Sequence, residues 1–258
     1  MLKGCSIASG SKGNCLFVSS KEANILVDVG VDLKRLHKSL IVLGCSPQKL
    51  DGVLISHTHS DHISGLLALC KQCGVKVFCH QEIAAQIYKI VEKTKSTIVD
   101  FDGLFFIKDI SINPFFVQHD VHCVGFSFVS NAKQLSIATD MGKYTSQVVD
   151  AVSGSDLVFV ESNYDEEMLR NGNYPTFLKN RVSSDFGHLS NLDCGELVAT
   201  LAQKGTKQFV LSHISQNNNY PELAYSSVVE RLRASGLNLD SVAVDIALQD
   251  RLSNLYQL

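Results

Sequence analysis

The sequence predicts a mixed α/β (α+β) chain in which two mixed sheets pack face to face with helices outside. Three observations predict it. Short apolar runs of strand length alternate with helical stripes, and the stretch from about 98 to 140 reads as consecutive strands and hairpins. Six of the apolar runs also end in a residue capable of chemistry. Continuous apolar runs of this kind suit strands covered on both faces. A chain of 258 residues buries roughly three quarters of its unfolded surface. With no repeat or linker, we read residues 1–258 as a single domain.

In chain order, "ILVD" ends the first chemistry-bearing run at Asp28. From Asp32 to Leu43, the residues Leu33, Leu36, Leu40 and Leu43 form one apolar helix face. "GVLISH" then delivers His57. Ile63, Leu66, Leu67 and Cys70 resume helical spacing, with Ser60 or Asp61 available as N-cap. "PFFVQH" ends at His119, "LSIATD" at Asp140 and "LVFVE" at Glu161. Cys194, Leu197, Val198 and Leu201 carry a further helix that Gly205 would stop. "FVLSH" delivers His213, and Pro221 suits the first turn of a helix bearing Ala224, Val228 and Leu232. Binding residues of open α/β sheets collect beyond the carboxyl ends of strands. The six strand-end residues are therefore expected to converge.

No apolar run is long enough to span a membrane. The opening "MLKGCSIASGSKGN" lacks the pattern of a secretory signal, which gives a cytoplasmic expectation. Eight cysteines without recurring spacing are read as reduced thiols. "CKQC" at Cys70 to Cys73 has no matching second pair, and Cys70 continues an apolar stripe, so buried thiols are preferred to zinc. His37 and His80 are expected to be solvated, and His122 is a candidate supporting residue behind His119.

The densest chemistry lies in "SHTHSDHISG", residues 56 to 65. His57 and His59 can point at one ion, and Asp61 and His62 at a second. Neutral imidazole with carboxylate suits Zn²⁺, Mn²⁺ or Fe²⁺ better than Ca²⁺. His119 can complete the first site, His213 the second, and Asp140 can bridge both. The net charge of −3 looks wrong for a nucleic-acid binder. Two divalent ions would raise it to about +1 and place the positive charge at the site. Composition thus leaves a phosphodiester substrate open.

H-x-H-x-D-H followed by a lone His, Asp and His, each at a strand end, resembles the metallo-β-lactamase superfamily. The resemblance implies a four-layer αββα sandwich with a dinuclear centre, and Asp28 matches that superfamily's first, non-ligating Asp. A narrower likeness lies in "SGSKGN", "TDMG", "ESNYDEEMLRNGNYP", "GHLSN" and "LSHISQNNN". These stretches resemble the YycJ/WalJ-type hydrolases, which implies 5′-to-3′ exonuclease activity on DNA ends, probed best with 5′-phosphorylated ends. One departure is Tyr164, where that family's segment reads E-S-N-H-D.

A hydroxide held between two cations can attack phosphorus in line. Asp61, beside that solvent molecule, would orient it or accept its proton. His188 in "GHLSN" is the candidate proton donor and Glu161 its carboxylate partner, by analogy with the tRNA 3′-processing enzymes of this fold. Ser11 and Asn14 in the glycine-rich turn, with Asn163, Arg181 and Asn191, are the candidate substrate contacts. The same centre could instead hydrolyse a thioester or lactone, which is the alternative activity. A non-catalytic domain is the third reading, disfavoured because all seven ligand positions are filled.

Overall fold

In the computed structural model, which describes residues 1–258, the two expected sheets hold seven strands each. The first contains β1 (Lys3–Ala8), β2 (Cys15–Ser19), β3 (Asn24–Val27), β4 (Gly52–Ile55), β5 (Val77–His80) and β6 (Ile98–Phe101) in that order. The second runs β7 (Phe105–Ile107), β8 (Ile110–Phe116), β9 (Val124–Ser130), β10 (Lys133–Ala138), β11 (Leu157–Glu161), β12 (Gln208–Ser212) and β13 (Ala243–Ile246). A short β14 (Tyr256–Gln257) returns beside β1. Each sheet is antiparallel in its first half and parallel in its second, from β3 and from β10 onward.

Alternation along the strands explains the layering. Ile25 and Val27 of β3 pack between the sheets, whereas Leu26 faces the helices. On β12, Val210 points inward while Phe209 and Leu211 face outward. The first sheet is covered by α1 (Leu33–Val42), α3 (Leu66–Cys73) and α4 (Gln81–Val91). The second is covered by α5 (Ser146–Val152), α8 (Asn191–Gln203) and α9 (Pro221–Ala234). The central strands are therefore buried on both faces, whereas β6, β7 and β8 leave outward residues exposed, and the result is the αββα sandwich.

The helical stripe through Ile63 and Cys70 is broken where one helix is expected. A short α2 (Ser60–Ile63) ends before α3 because Gly65 docks its N–H on Val29 O at 2.8 Å. Any Cβ at Gly65 would stand 2.1 Å from Val31 O. The N-cap of α2 is His59 rather than Ser60 or Asp61. His80, expected in solvent, is buried, and its Nδ1 accepts the Glu82 N–H to cap α4. Cys70 is a buried thiol, and the Cys73 thiol donates to Leu69 O. No helix is long and apolar enough to cross a membrane. Beyond β11 a small arm, α6 (Glu166–Asn171) and α7 (Thr176–Val182), folds on its own cluster of Tyr164, Leu169 and Val182.

Candidate metal centre

Six strands of the two sheets hand a chemical side chain to one edge of the sandwich. Asp28 follows β3, Asp140 lies two residues past β10, His213 follows β12 and Glu161 closes β11, while His57 and His119 lie two and three residues past β4 and β8. Asp28, Asp140 and His213 adopt left-handed backbone, with φ of 60°, 60° and 54°. A non-glycine residue in that region is strained. The abrupt turn keeps each side chain at the strand's end instead of carrying it off along a loop.

Four imidazoles are each pinned through one nitrogen by a hydrogen-bond acceptor, and a fifth by an ion-pair contact. His62 Nδ1–H donates to Asp28 Oδ2 at 2.7 Å, and His57 Nδ1–H to Ser56 Oγ at 2.9 Å. The Ser56 hydroxyl in turn donates to Asp28. His119 Nδ1–H donates to Gly187 O at 3.0 Å, and His213 Nδ1–H to Glu161 Oε1 at 2.8 Å. His59 is turned the other way round, its Nε2 in ion-pair contact with Asp120 Oδ1 at 3.2 Å and its Nδ1 toward the cluster. Such outer partners fix which nitrogen is bare.

The bare nitrogens face one another. His59 Nδ1 lies 3.1 Å from His57 Nε2 and 3.2 Å from His119 Nε2, so three lone pairs meet without a hydrogen between them. Beside them, Asp61 Oδ2 is 3.4 Å from His62 Nε2 and 3.6 Å from His213 Nε2. Asp140 Oδ1 is 3.5 Å from His62 Nε2, and Asp140 also groups with His57. His213 Nε2 and Asp140 Oδ2 are buried without any hydrogen-bond partner. Converging unpaired lone pairs are costly unless a cation satisfies them. The donor set fits divalent ions: His57, His59 and His119 around one position, Asp61, His62 and His213 around a second, Asp140 between.

Electrostatics agree with that division. Burial depresses the His57, His59 and His119 imidazoles, keeping them neutral. Burial would also depress His213, but Asp140, Asp61 and Glu161 outweigh it and hold it up at about 10. The carboxylates at this end demand positive charge, which a bound cation would supply. Glu161 is fully buried and takes four donors: His188 Nδ1 and His213 Nδ1 on Oε1, Met141 N and Leu189 N on Oε2. Burial would raise its carboxyl, yet the His188 and His213 charges and hydrogen bonds outweigh that and keep it ionised.

A cavity of about 280 Å³ opens over the cluster. His59, Asp61, Asp140, His188 and His213 line it, and Ser11, Asn163, Arg181, Tyr174, Ser215 and Asn218 add its polar walls. Asn14 and Asn191 are not among its walls. Asn14 is spent beneath the cluster, its Nδ2 3.1 Å from Asp61 Oδ2 and its N–H on Asp61 O at 2.7 Å. Asn191 is only 1% exposed, bonded to Ser162 and Asn219. Both are amides of the scaffold, not of the cavity. Tyr164 is buried against Leu169 and Val182 and stays out of the cavity. His122 stacks on His80 at 4.3 Å and does not touch the cluster. The loop between β3 and α1 packs against the HTHSDH segment: a Cβ at Gly30 would fall 1.6 Å from Asp61 O. Asp120 is the residue sequence reasoning missed. It joins His59 to Arg181, whose Nε donates to Asp120 Oδ2 at 2.7 Å. An acid directly after the strand-end His119 was its only trace in the sequence.

A family model described as a beta-lactamase superfamily domain matches residues 23–214. The exodeoxyribonuclease WalJ of Streptococcus pneumoniae is 33% identical over 250 residues, spanning 95% of this chain and 92% of that protein. The chain belongs to the metallo-β-lactamase superfamily. Within the superfamily it is also 31% identical to the exodeoxyribonuclease YycJ of Bacillus anthracis, over 90% of each chain. The metallo-β-lactamase fold protein YhfI of Bacillus subtilis superposes with a TM-score of 0.74 at 18% identity, over 98% of this chain and all of that one. As a metallo-β-lactamase member the chain is a metal-dependent hydrolase, and these His and Asp groups are the ones that could hold a divalent cation.

Proposed function

We propose that the chain is a two-metal phosphodiesterase that removes nucleotides from DNA ends in the 5′-to-3′ direction. One observation carries this reading: a single buried carboxylate, Glu161, bonds both His213 of the cluster and His188 of the cavity wall at 2.8 Å. A proton donor is thereby fixed to the metal site itself. The relatives named as exodeoxyribonucleases supply the substrate class.

His57, His59 and His119 would hold one ion and Asp61, His62 and His213 the other, with Asp140 shared and Asp28 steadying His62. The pair, when bound, acidifies a solvent molecule and screens the phosphate oxygens. Asp61 orients that solvent molecule from the cavity side. His188 gives its proton to the leaving 3′-oxygen as the P–O3′ bond breaks, releasing a 5′-mononucleotide. Glu161 stabilises the resulting charge distribution and refixes the imidazole. Ser11 and Asn163 offer neutral donors to the phosphate. Arg181 keeps Nη1 without a protein partner while Nε and Nη2 bind Asp120, so it can touch an anion without leaving its ion pair. Residues 1–258 act as one domain, because the two ligand sets draw on both sheets. Eight free cysteines suit a reducing cytoplasm.

The test pairs two substrates. Purified protein is expected to carry two metals per chain and to shorten 5′-phosphorylated, 3′-labelled DNA in Mn²⁺, with little action on a thioester or lactone. Asp140→Ala should lose both metal and hydrolysis. Full hydrolysis by that variant, or an acyl substrate turned over in preference to DNA, would overturn the proposal.

A further inference from the structure

The solvent face of α1 carries Lys34, Arg35 and Lys38, and these line a hollow of about 380 Å³ with Arg251 from the C-terminal segment. Lys12 stands exposed at its approach. None of the five cations makes an ion pair within the chain, although the Arg35 guanidinium donates to Ile7 O at 2.7 Å. Against them stand two carboxylates, Asp32 and Asp250. Asp32 is already engaged as the N-cap of α1, accepting the Arg35 N–H. In a chain of net charge −3, such a concentration is a local feature and not a reflection of composition.

Hydrogen bonds tie the segment that carries Arg251 to the rim of the metal cavity. Ser11 lines that cavity. The next residue, Lys12, donates its backbone N–H to Gln249 Oε1 at 2.8 Å, and Gln249 Nε2 donates to Gly13 O at 2.9 Å. Asp250 and Arg251 follow directly along the chain. The turn from Gly10 to Asn14 thus borders the metal cavity through Ser11 and holds, through Gln249, the segment that carries Asp250 and Arg251. A polyanion leaving the cavity over Ser11 meets these cations first.

We propose that Lys12, Lys34, Lys38 and Arg251 form a track for the phosphate backbone of DNA whose end lies in the metal cavity. The inference rests on the DNA reading above and extends it to a second contact region. A bilayer surface is the competing partner, since Ile41 and Val42 are exposed at the end of α1. The concave placement of the cations favours a phosphate chain, which can enter a hollow that a flat bilayer bridges.

The experiment compares wild type with Lys34→Gln/Lys38→Gln/Arg251→Gln, both metal-loaded. Anisotropy reads binding to 5′-phosphorylated phosphorothioate DNA from about 50 to 200 mM salt. Losing three phosphate contacts should flatten the log–log salt slope by about 2 to 3. KM for cleavable DNA should rise roughly 10-fold at about 150 mM salt, while kcat and metal content hold. An unchanged slope with wild-type cleavage intact would sink the track alone. Loss of sedimentation with phosphatidylglycerol vesicles while DNA binding stays put would sink it too and assign the patch to a membrane. A wild-type protein that neither binds nor cuts DNA would overturn both the track and the proposed function. Track-dependent binding by a protein that hydrolyses only acyl substrates would support the track and overturn the function.

Discussion

Replacing Asp28 by Asn isolates the support behind one of the proposed metal positions without touching a proposed ligand. Oδ1 of Asp28 accepts the Ser56 N–H at 2.9 Å, while Oδ2 accepts the Ser56 hydroxyl and His62 Nδ1–H, both at 2.7 Å. An amide can offer only one oxygen. If its NH₂ faces the Ser56 N–H, a buried donor is orphaned at a cost of about 1 to 3 kcal/mol. If it faces His62, Nδ1 must give up its proton, and Nε2 then carries one where a lone pair is needed. Loss of such an outer partner typically weakens metal binding by about 10- to 100-fold, or roughly 1.4 to 2.7 kcal/mol. The backbone at φ 60° tolerates Asn as well as Asp, so the turn itself survives. Chelator competition followed by plasma emission should show the variant releasing one of two ions early, with the second retained near wild-type affinity. A urea melt of the metal-free proteins should place the variant no more than about 3 kcal/mol below wild type. Equal retention of both ions by the two proteins would refute the reasoning.

Other outcomes follow from the same geometry. His188→Gln should keep its full metal content yet slow turnover by about 10² to 10⁴, read by single-turnover kinetics beside elemental analysis. Gly30→Ala forces a methyl into Asp61 O at 1.6 Å and should cost about 1 to 3 kcal/mol and weaken metal retention. Gly103→Ala, with nothing within 4 Å of its added methyl, is the matched control in the same urea melt. Burial and Asp100 push the Cys79 thiol up to about 12 from an ordinary 9.0. Between those values the unfolded chain sheds a proton that the native chain keeps, so stability falls as pH rises, by at most about 1.4 kcal/mol per unit for this thiol. The stability lead of wild type over Cys79→Ala, measured by urea melts from pH 8 upward, should shrink accordingly.

The sandwich was legible because periodicity reports burial directly: runs such as "LVFVE" of β11 are covered on both faces. The cluster was legible for a different reason. Metal chemistry admits few residue types, and strand ends deliver them at fixed places, so His119, Asp140 and His213 could be paired with "HTHSDH" across long intervals. Legibility fails where a polar residue has several physically equal uses. Asn14 and Asn191 have the same donors and acceptors whether they meet substrate or scaffold, and only burial separates the two. Asp120 serves His59 from 61 positions away, with nothing local to mark the partnership. The break at Gly65 depends on a contact with Val29 and Val31, which an apolar stripe cannot report. His80 looked solvated because its only sequence context was the end of a strand, while its burial comes from Phe101 and Phe116 of other strands.

The way the candidate ligands are divided between the sheets would tie catalysis to folding. His57, His59, Asp61 and His62 leave the first sheet at β4, whereas His119, Asp140 and His213 leave the second. Three of the four potential ligand groups take members from both sheets. Neither sheet alone can complete them, so the centre exists only when the layers are docked over the core that Val27, Leu54, Phe126 and Ile137 share. Metal binding then favours the docked state by mass action, about 2.7 kcal/mol for each ion present at 100 times its dissociation constant. The left-handed turns at Asp28, Asp140 and His213 would draw on the same reserve. Their strain, on the order of 1 to 3 kcal/mol each, persists because the sheets fix both strand ends, and ions bound as proposed would reward the conformation that the backbone disfavours.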